Sequence, residues 1–450
     1  MSDANTGNTL REKVDILIVN GLVVTMDLDQ RIIRDGAVAI SGTQIKAIGS
    51  TKELETRFIA QEVINAAGHA VMPGLINAHS HIPSVLFRGL VEDLPLYDWL
   101  DEMWKAEKKC ISSSSIKAAS QLGFLEMIQC GITTSLDMYW FPEISAEVAK
   151  EVGFRFMGGP VYLETDAPPD NIPMEERSAR GRAFLQEYQD DSLIIPCVLP
   201  HSTYTVSPKY LCEARALADE FGVVYHTHAS ESAGEVADIL QRYGKTPINH
   251  LEELGLLDNK TVLAHTVHLT DQEIELLAER GVISVHNPIS NLKLGSGIAR
   301  VPEMQQAGIP ILLGTDGPQS SNDFNLWLTM RLTAILHKGA HEDPSLIPTT
   351  SVVRMVTSGA AEALGLNNLI GSLEIGKRAD LILIDLKKPH LVPLHDIYAQ
   401  LIYSVGREDV SSVVINGRLI MNDRQMLTMD VEETMGNVIN IASAISKTQE

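Results

Sequence analysis

Through the middle of the chain, short apolar runs alternate with longer stretches whose apolar residues recur every three or four positions. The runs occupy 71–79, 132–139, 154–162, 193–200, 223–228, 261–265, 282–286 and 309–315; the periodic stretches include 115–128, 208–221, 271–280 and 301–307. A short run without polar alternation is a strand buried on both faces, and a 3.6-residue period is a helix that buries one face. Eight such strands alternating with helices predict a parallel sheet closed into a (β/α)8 TIM-like barrel, an α/β fold.

The two ends of the chain read differently. Near the start, 15–27, 36–41 and 44–49 are strands separated by the turn pairs Asn20-Gly21, Asp35-Gly36 and Ser41-Gly42. Similar strands return at 379–386 and 412–420, the latter with Asn416-Gly417. Neither set is large enough to cover its own apolar face. The expectation is one small β-sandwich domain built from both ends, 1–70 and 371–450, around a barrel at 71–370.

Composition excludes several classes. Hydrophobic residues are 44% and charged residues 21% of 450, a globular balance, and with aromatics at 5% the core is aliphatic. A net charge of -22 repels a phosphate backbone, so nucleic acid is not an expected partner. Cys110, Cys130, Cys197 and Cys212 form no CxxC pair and read as buried thiols of a reducing compartment. Segment 1–12 is polar, a loose terminus without an apolar signal core, and no apolar run is long enough to span a bilayer. The expected location is the cytoplasm, with no membrane partner.

In a barrel of this kind the functional groups gather at the carboxyl ends of the strands. The chain has 14 histidines, and the strand ends read His79-Ser-His81, His201, His226-Thr-His228, His265, His286 and, on the last strand, Asp316. Residues two apart on a strand point to the same side, so His79 and His81 can reach one ion. Spacing alone does not choose between His226 and His228 for a third ligand. The order His228-Ala-Ser-Glu231 favours His228, because it sets a carboxylate just past the ligand, and His226 then reads as a hydrogen-bonding neighbour. The expected metal set is His79, His81, His228 and Asp316. Strand four, 193–201, has no lysine to bridge two ions, so one divalent ion is expected. Zinc suits nitrogen and oxygen ligands best, and Fe(II), Mn(II) and Co(II) fit the same set.

Several passages carry a family resemblance: Pro73-Gly-Leu-Ile-Asn-Ala-His79-Ser-His81, Leu263-Ala-His265, the stretch from His286-Asn-Pro to Gly297, Gly314-Thr-Asp316-Gly, and Gly371-Ser-Leu-Glu-Ile-Gly-Lys-Arg-Ala-Asp380. Together they resemble the amidohydrolase superfamily, in particular the methylthioadenosine/S-adenosylhomocysteine deaminase branch, which is related to the triazine hydrolases. The resemblance implies hydrolytic release of ammonia from a 6-aminopurine nucleoside by a homo-oligomeric enzyme acting on a small molecule. The ion lowers the pKa of its water from about 15.7 towards about 7. The implied roles are Asp316 as the base that takes the water's proton, Glu231 as the acid that protonates a ring nitrogen, and His265 as a hydrogen-bond donor to the tetrahedral oxygen.

Substrate residues are also implied by the resemblance. Trp104-Lys-Ala-Glu107 is similar to a segment whose glutamate binds ribose hydroxyls, although here it sits one residue closer to Trp99-Leu100. His201 matches a histidine that contacts purine and sugar, and His228 faces the substrate as well as the ion. Some homocysteine-nucleoside deaminases carry an arginine just after strand three; Met157-Gly-Gly-Pro-Val-Tyr-Leu163 has none, which favours adenosine or methylthioadenosine over S-adenosylhomocysteine. The alternative on the same scaffold is a triazine or other N-heterocycle hydrolase, or a guanine-type deaminase. A non-enzymatic barrel protein is the remote alternative, and such proteins lose ligands that are present here.

Overall fold

The computed structural model describes residues 11–165 and 168–446; residues 1–10, most of the terminus read as loose, lie outside them. Four parallel strands come first, Leu75–Ser80, Ile132–Asp137, Arg155–Gly158 and Ile194–Pro196, paired in chain order. Four more follow, Tyr225–Ala229, Thr261–His265, Ile283–His286 and Ile311–Leu313, again parallel and in order. Bridges Val198↔Tyr225 and Ser202↔His228 join the fourth strand to the fifth, and Ser80↔Asp316 joins the last to the first. The barrel is thereby closed, as the alternating pattern predicts.

Closure brings the two metal-motif strands together. Asn77 donates from Nδ2 to Thr315 Oγ1 at 2.7 Å and accepts from the Thr315 backbone N–H at 3.0 Å. One buried side chain thus ties the strand that carries His79 to the segment that carries Asp316. Strands three and four are both interrupted and resume as Val161–Tyr162 and Leu199–Pro200. The break is a close approach of two backbones: a Cβ on Gly159 would lie 1.9 Å from the Cys197 carbonyl oxygen. Only glycine fits there.

The apolar run 71–79, read as one strand, is two. His69–Pro73 pairs antiparallel with Leu381–Asp385, and the barrel strand begins after Gly74. The pairing of His69–Pro73 with Leu381–Asp385 unites the chain ends. Glu12–Val24, Ile32–Ser41, Gln44–Ser50 and Phe58–Asn65 from the start, with Val410–Ile415, Arg418–Asn422 and Gln425–Met426 from the end, complete one nine-stranded sheet. Its residues Ile18, Val38, Val71, Leu381 and Val414 form a shared apolar cluster to which neither end is sufficient alone. The run 412–420 is a hairpin: Asn416 and Gly417 both have positive φ, 51° and 78°, the combination a tight two-residue turn between strands requires. The last stretch also returns to the barrel. Helix Val431–Ser446 packs on helix Ser113–Gln129.

Sheet and barrel are also bolted together by charge. Arg155, fully buried at the start of strand three, donates from Nε to Asp380 Oδ2 at 2.7 Å and from Nη2 to Oδ1 at 3.0 Å. Its Nη1 donates to the Ser192 carbonyl at 2.5 Å, so the charge is paired and its donors are used.

Candidate metal centre and substrate cavity

Four side chains converge at the carboxyl end of the barrel. His228 Nε2 lies 3.1 Å from His79 Nε2 and 3.3 Å from His81 Nε2, and Asp316 Oδ1 lies 3.3 Å and 3.2 Å from the same two nitrogens. All four residues are buried. Ligands about 2.0–2.1 Å from a tetrahedral ion stand about 3.3 Å from one another. The four separations are those of neighbouring ligands around one such ion.

The outward nitrogens decide which way the lone pairs point. His81 Nδ1–H donates to the Met138 carbonyl at 2.5 Å and His228 Nδ1–H to the His201 carbonyl at 2.6 Å. His226 Nδ1–H donates to the Val262 carbonyl at 2.9 Å, which leaves its Nε2 to accept from His79 Nδ1–H at 2.8 Å. With Nδ1 carrying the proton on all three rings, each Nε2 turns a lone pair to the centre. Three lone pairs and a carboxylate at such distances repel unless a cation lies among them. His226 is thus placed behind His79 rather than at the centre.

Electrostatics agree for most of the cluster. Burial pushes His79 down to about 4 and holds His228 well below the ordinary imidazole range, so both are neutral. Burial opposes charge on Asp316, yet hydrogen bonds with His79 and His81 hold its carboxyl well below the usual range. At His81 burial is outweighed by the hydrogen bond and charge of Asp316, which raise it to about 9. There a proton and a cation compete for the same lone pair.

The groups around the cluster are poised for proton transfer. Glu231 is buried, and its Oε2 lies 3.8 Å from His265 Nε2. Burial, with the charges of Asp316 and Glu235, raises its carboxyl well above the usual range, which favours the protonated form. Asp316 Oδ2 accepts from Ser320 Oγ at 2.7 Å. His265 has Nδ1 2.8 Å from Asn291 Oδ1, while Asn291 Nδ2 has no partner among the described residues and Asn287 Nδ2 lies 3.5 Å from the same ring nitrogen. Turning the Asn291 amide end for end would put two donors on Nδ1 and leave the ring proton on Nε2. A metal-capable grouping of His79, His228, His265 and Asp316 has one ligand atom from each within 4.8 Å of the others, so His265 borders the centre too.

Backbone strain gathers here. Ser230, His265, Thr266 and Asp316 have φ of 54°, 76°, 45° and 59°. Non-glycine residues in that region cost of order 1–3 kcal/mol each and persist where the surroundings hold them.

A cavity opens above the cluster, and Glu107, His201, Glu231, His265 and Asp316 all border it. Glu107 is buried on helix Leu96–Cys110; Tyr139 Oη donates to its Oε1 at 2.6 Å and Trp140 Nε1 to its Oε2 at 3.4 Å. Burial raises this carboxyl, and the two donors partly offset that. His201 Nδ1 lies 2.8 Å from Thr205 Oγ1, and burial lowers the ring to about 3. The remaining wall is mostly apolar and aromatic, including Trp99, Trp104, Met138, Tyr204 and Leu163, with Gln319 and Ser320 adding polar groups and no arginine or lysine among the lining residues. Arg177 stands behind that wall, its guanidinium 5.3 Å from the Trp140 ring and paired with Asp170. Tyr139, Trp140 and Tyr204 were not singled out from the sequence; they lie in loops after strand ends, where only the barrel reading itself gives a signal. No helix among the described residues is long and apolar enough to cross a membrane.

Known proteins share this arrangement of chain. The 5-methylthioadenosine/S-adenosylhomocysteine deaminase of Syntrophobacter fumaroxidans is 43% identical over 434 residues, 96% of this chain and 99% of that one. An adenosine deaminase from Xanthomonas campestris, solved with bound zinc, superposes with a TM-score of 0.94 at 36% identity, covering 97% of this chain and all (100%) of that one. Atrazine chlorohydrolase from Arthrobacter aurescens, complexed with zinc, superposes with a TM-score of 0.86 at 25% identity, covering 95% and 100%. The profile of the amidohydrolase family matches residues 70–420, a span that holds every convergent side chain described above. The closed barrel, the histidine–aspartate cluster and these matches together place the chain in the amidohydrolase family.

Proposed function

We propose that this protein is a metal-dependent deaminase that releases ammonia from a 6-aminopurine nucleoside of the adenosine, methylthioadenosine or S-adenosylhomocysteine type. One observation carries the reading: a buried carboxyl, Glu231, raised well above the usual range by burial, faces the same cavity as a cluster fit for one cation. Relatives named for that chemistry align over nearly the whole chain.

His79, His81, His228 and Asp316 would hold the ion, zinc by the likeness to the zinc-bound adenosine deaminase. When bound, it supplies a water acidified enough to attack at neutral pH. Asp316 takes the proton of that water, its carboxylate kept ionised by the two histidines. Glu231 gives its proton to the ring nitrogen beside the attacked carbon, which removes aromatic stabilisation; the amino group leaves as ammonia with the proton that Asp316 took from the water, and the remaining proton of the attacking oxygen returns to Glu231. His265, in the tautomer with Nε2–H, donates to the developing oxygen. Glu107 and His201 are assigned to the sugar, Gln319 adds a buried Oε1 without a partner among the described residues, and the aromatic wall suits the flat faces of a purine. The same reading places the protein in the cytoplasm, as a homo-oligomer without nucleic-acid partners; its four cysteines are free, and of those expected to be buried Cys130 and Cys197 are, while Cys110 is half-buried and Cys212 exposed.

The test is ammonia release from adenosine and methylthioadenosine with metal analysis of the same sample. Stoichiometric ammonia and about one divalent ion per chain are expected. Two ions per chain, or no nucleoside consumed, would contradict the reading.

A further inference from the structure

Glu235 is a fully buried carboxylate with no lysine or arginine partner, four residues beyond Glu231. A buried charge without a cation must be held by hydrogen bonds. Its Oε2 accepts from the Glu231 backbone N–H at 2.7 Å and its Oε1 from Thr203 Oγ1 at 3.0 Å. Ser232 caps the helix Ala233–Tyr243 by accepting from the Glu235 N–H at 3.1 Å. The segment so gripped is strained: Ser230 has φ of 54°, and its carbonyl takes the N–H groups of Val267 and His268, both at 2.9 Å. The Glu231 carboxyl, by contrast, accepts no hydrogen bond from any described residue. One carboxyl of the pair has a donor on each oxygen, which partly offsets the upward push of burial and suits it to hold charge; the other is bare and suited to hold a proton.

We propose that Glu235 is the positioning residue for proton transfer by Glu231, fixing the Ser230–Glu231 turn through the Glu231 N–H and keeping a carboxylate beside it. The proposal rests on the functional reading above, in which Glu231 is the acid. The titratable groups about the two carboxyls are His81, His265, Asp316, Tyr97 and Tyr204. No cation among them duplicates what Glu235 does. Removing its charge leaves the metal ligands in place and weakens one step.

The experiment is a double-substitution cycle on the metal-loaded full chain, with adenosine as substrate. Glu235→Gln keeps volume but loses one acceptor and the charge. Its kcat is expected to fall about tenfold or more with KM within about threefold, at wild-type metal content. In a Glu231→Gln background, the same substitution is expected to change kcat by less than about threefold, because the step it serves is already lost. An unchanged kcat in Glu235→Gln, a loss that follows metal loss, or the same loss in both backgrounds would overturn the proposal. Should Glu235→Gln not fold, Glu235→Asp, which keeps the charge but cannot span the same reach, is read in the same cycle, and full kcat there overturns it. A wild type inactive on every nucleoside overturns the functional reading and the proposal with it; an active wild type with an indifferent Glu235→Gln overturns the proposal alone.

Discussion

His79 Nδ1 and His226 Nε2 lie 2.8 Å apart inside the barrel, and the direction of that hydrogen bond sets which nitrogen of His79 faces the metal centre. His226 can only accept, since its own Nδ1–H is committed to Val262. The proton therefore sits on His79 Nδ1 and the lone pair on Nε2. An orienting partner of this kind is worth about 10–100-fold in metal affinity. His226→Ala is expected to weaken metal binding by that factor, measured by competition with a chelator. His226→Gln, whose amide oxygen can accept from His79, should recover part of the loss. Unchanged affinity in His226→Ala would remove His226 from the site.

Glu231 links turnover to stability. Its carboxyl is raised well above the ordinary 4.5 by burial first, then by the charges of Asp316 and Glu235. In its proposed role as the acid it works while protonated, so kcat is expected to fall as pH rises through its raised pKa. Glu231→Gln should keep the metal and lose roughly 100-fold or more in kcat. In the metal-free protein the sign runs as follows. Above pH 4.5 the unfolded chain releases this proton while the folded chain keeps it, so stability falls as pH rises towards the folded value, by at most about 1.4 kcal/mol per pH unit. Thermal unfolding without metal at pH 5 and pH 8 should therefore show the wild type losing ground to Glu231→Gln at the higher pH. Parallel behaviour of the two proteins would contradict a raised Glu231.

The Arg155–Asp380 pair joins barrel and sheet out of solvent. Taking away one partner strands a buried charge. Asp380→Ala is expected to cost about 3–5 kcal/mol in urea unfolding. It also removes the acceptor of the Asn416 N–H, 2.7 Å from Asp380 Oδ1. A cost under about 1 kcal/mol, the worth of an exposed pair, would show that this bolt is not needed.

The barrel was legible because its strands are short runs buried on both faces and alternate with helices, and the candidate metal motif because strand ends gather histidines. Spacing left His226 and His228 open, since both face inward; the order His228-Ala-Ser-Glu231 favoured His228, and what the sequence does not display is the Val262 carbonyl on the next strand that turns His226 towards His79. Strand Phe58–Asn65 gave no signal either, because most of its residues are exposed and it pairs with Glu12–Val24 along only one edge. Glu107 had a readable sign: it stands four residues after Met103 and eight after Trp99, on the buried stripe of its helix. A carboxylate on an apolar stripe is either paired or functional, and this one is held by Tyr139 and Trp140. Glu235 carried no such mark, as its burial depends on Thr203 from a distant loop.

Specificity should follow the polar groups of the cavity. A site built to bond a hydroxyl rejects a compound that lacks it, because its own groups are left unpaired. Glu107→Ala is expected to lower kcat/KM for adenosine more than for free adenine. With no arginine or lysine among the residues that line the cavity, adenosine and methylthioadenosine should be turned over at least as well as S-adenosylhomocysteine. Equal losses for adenosine and adenine in Glu107→Ala would separate Glu107 from the sugar.

The most direct measurement is kcat/KM of the metal-loaded wild type, followed by ultraviolet absorbance, on adenosine, methylthioadenosine, adenine, guanine and a chlorotriazine. Deamination of the two nucleosides, well ahead of adenine and with guanine and the triazine left intact, is the expected result. Consumption of the triazine or guanine with no activity on any nucleoside would contradict the proposed substrate, while leaving the metal chemistry of His79, His81, His228 and Asp316 in place.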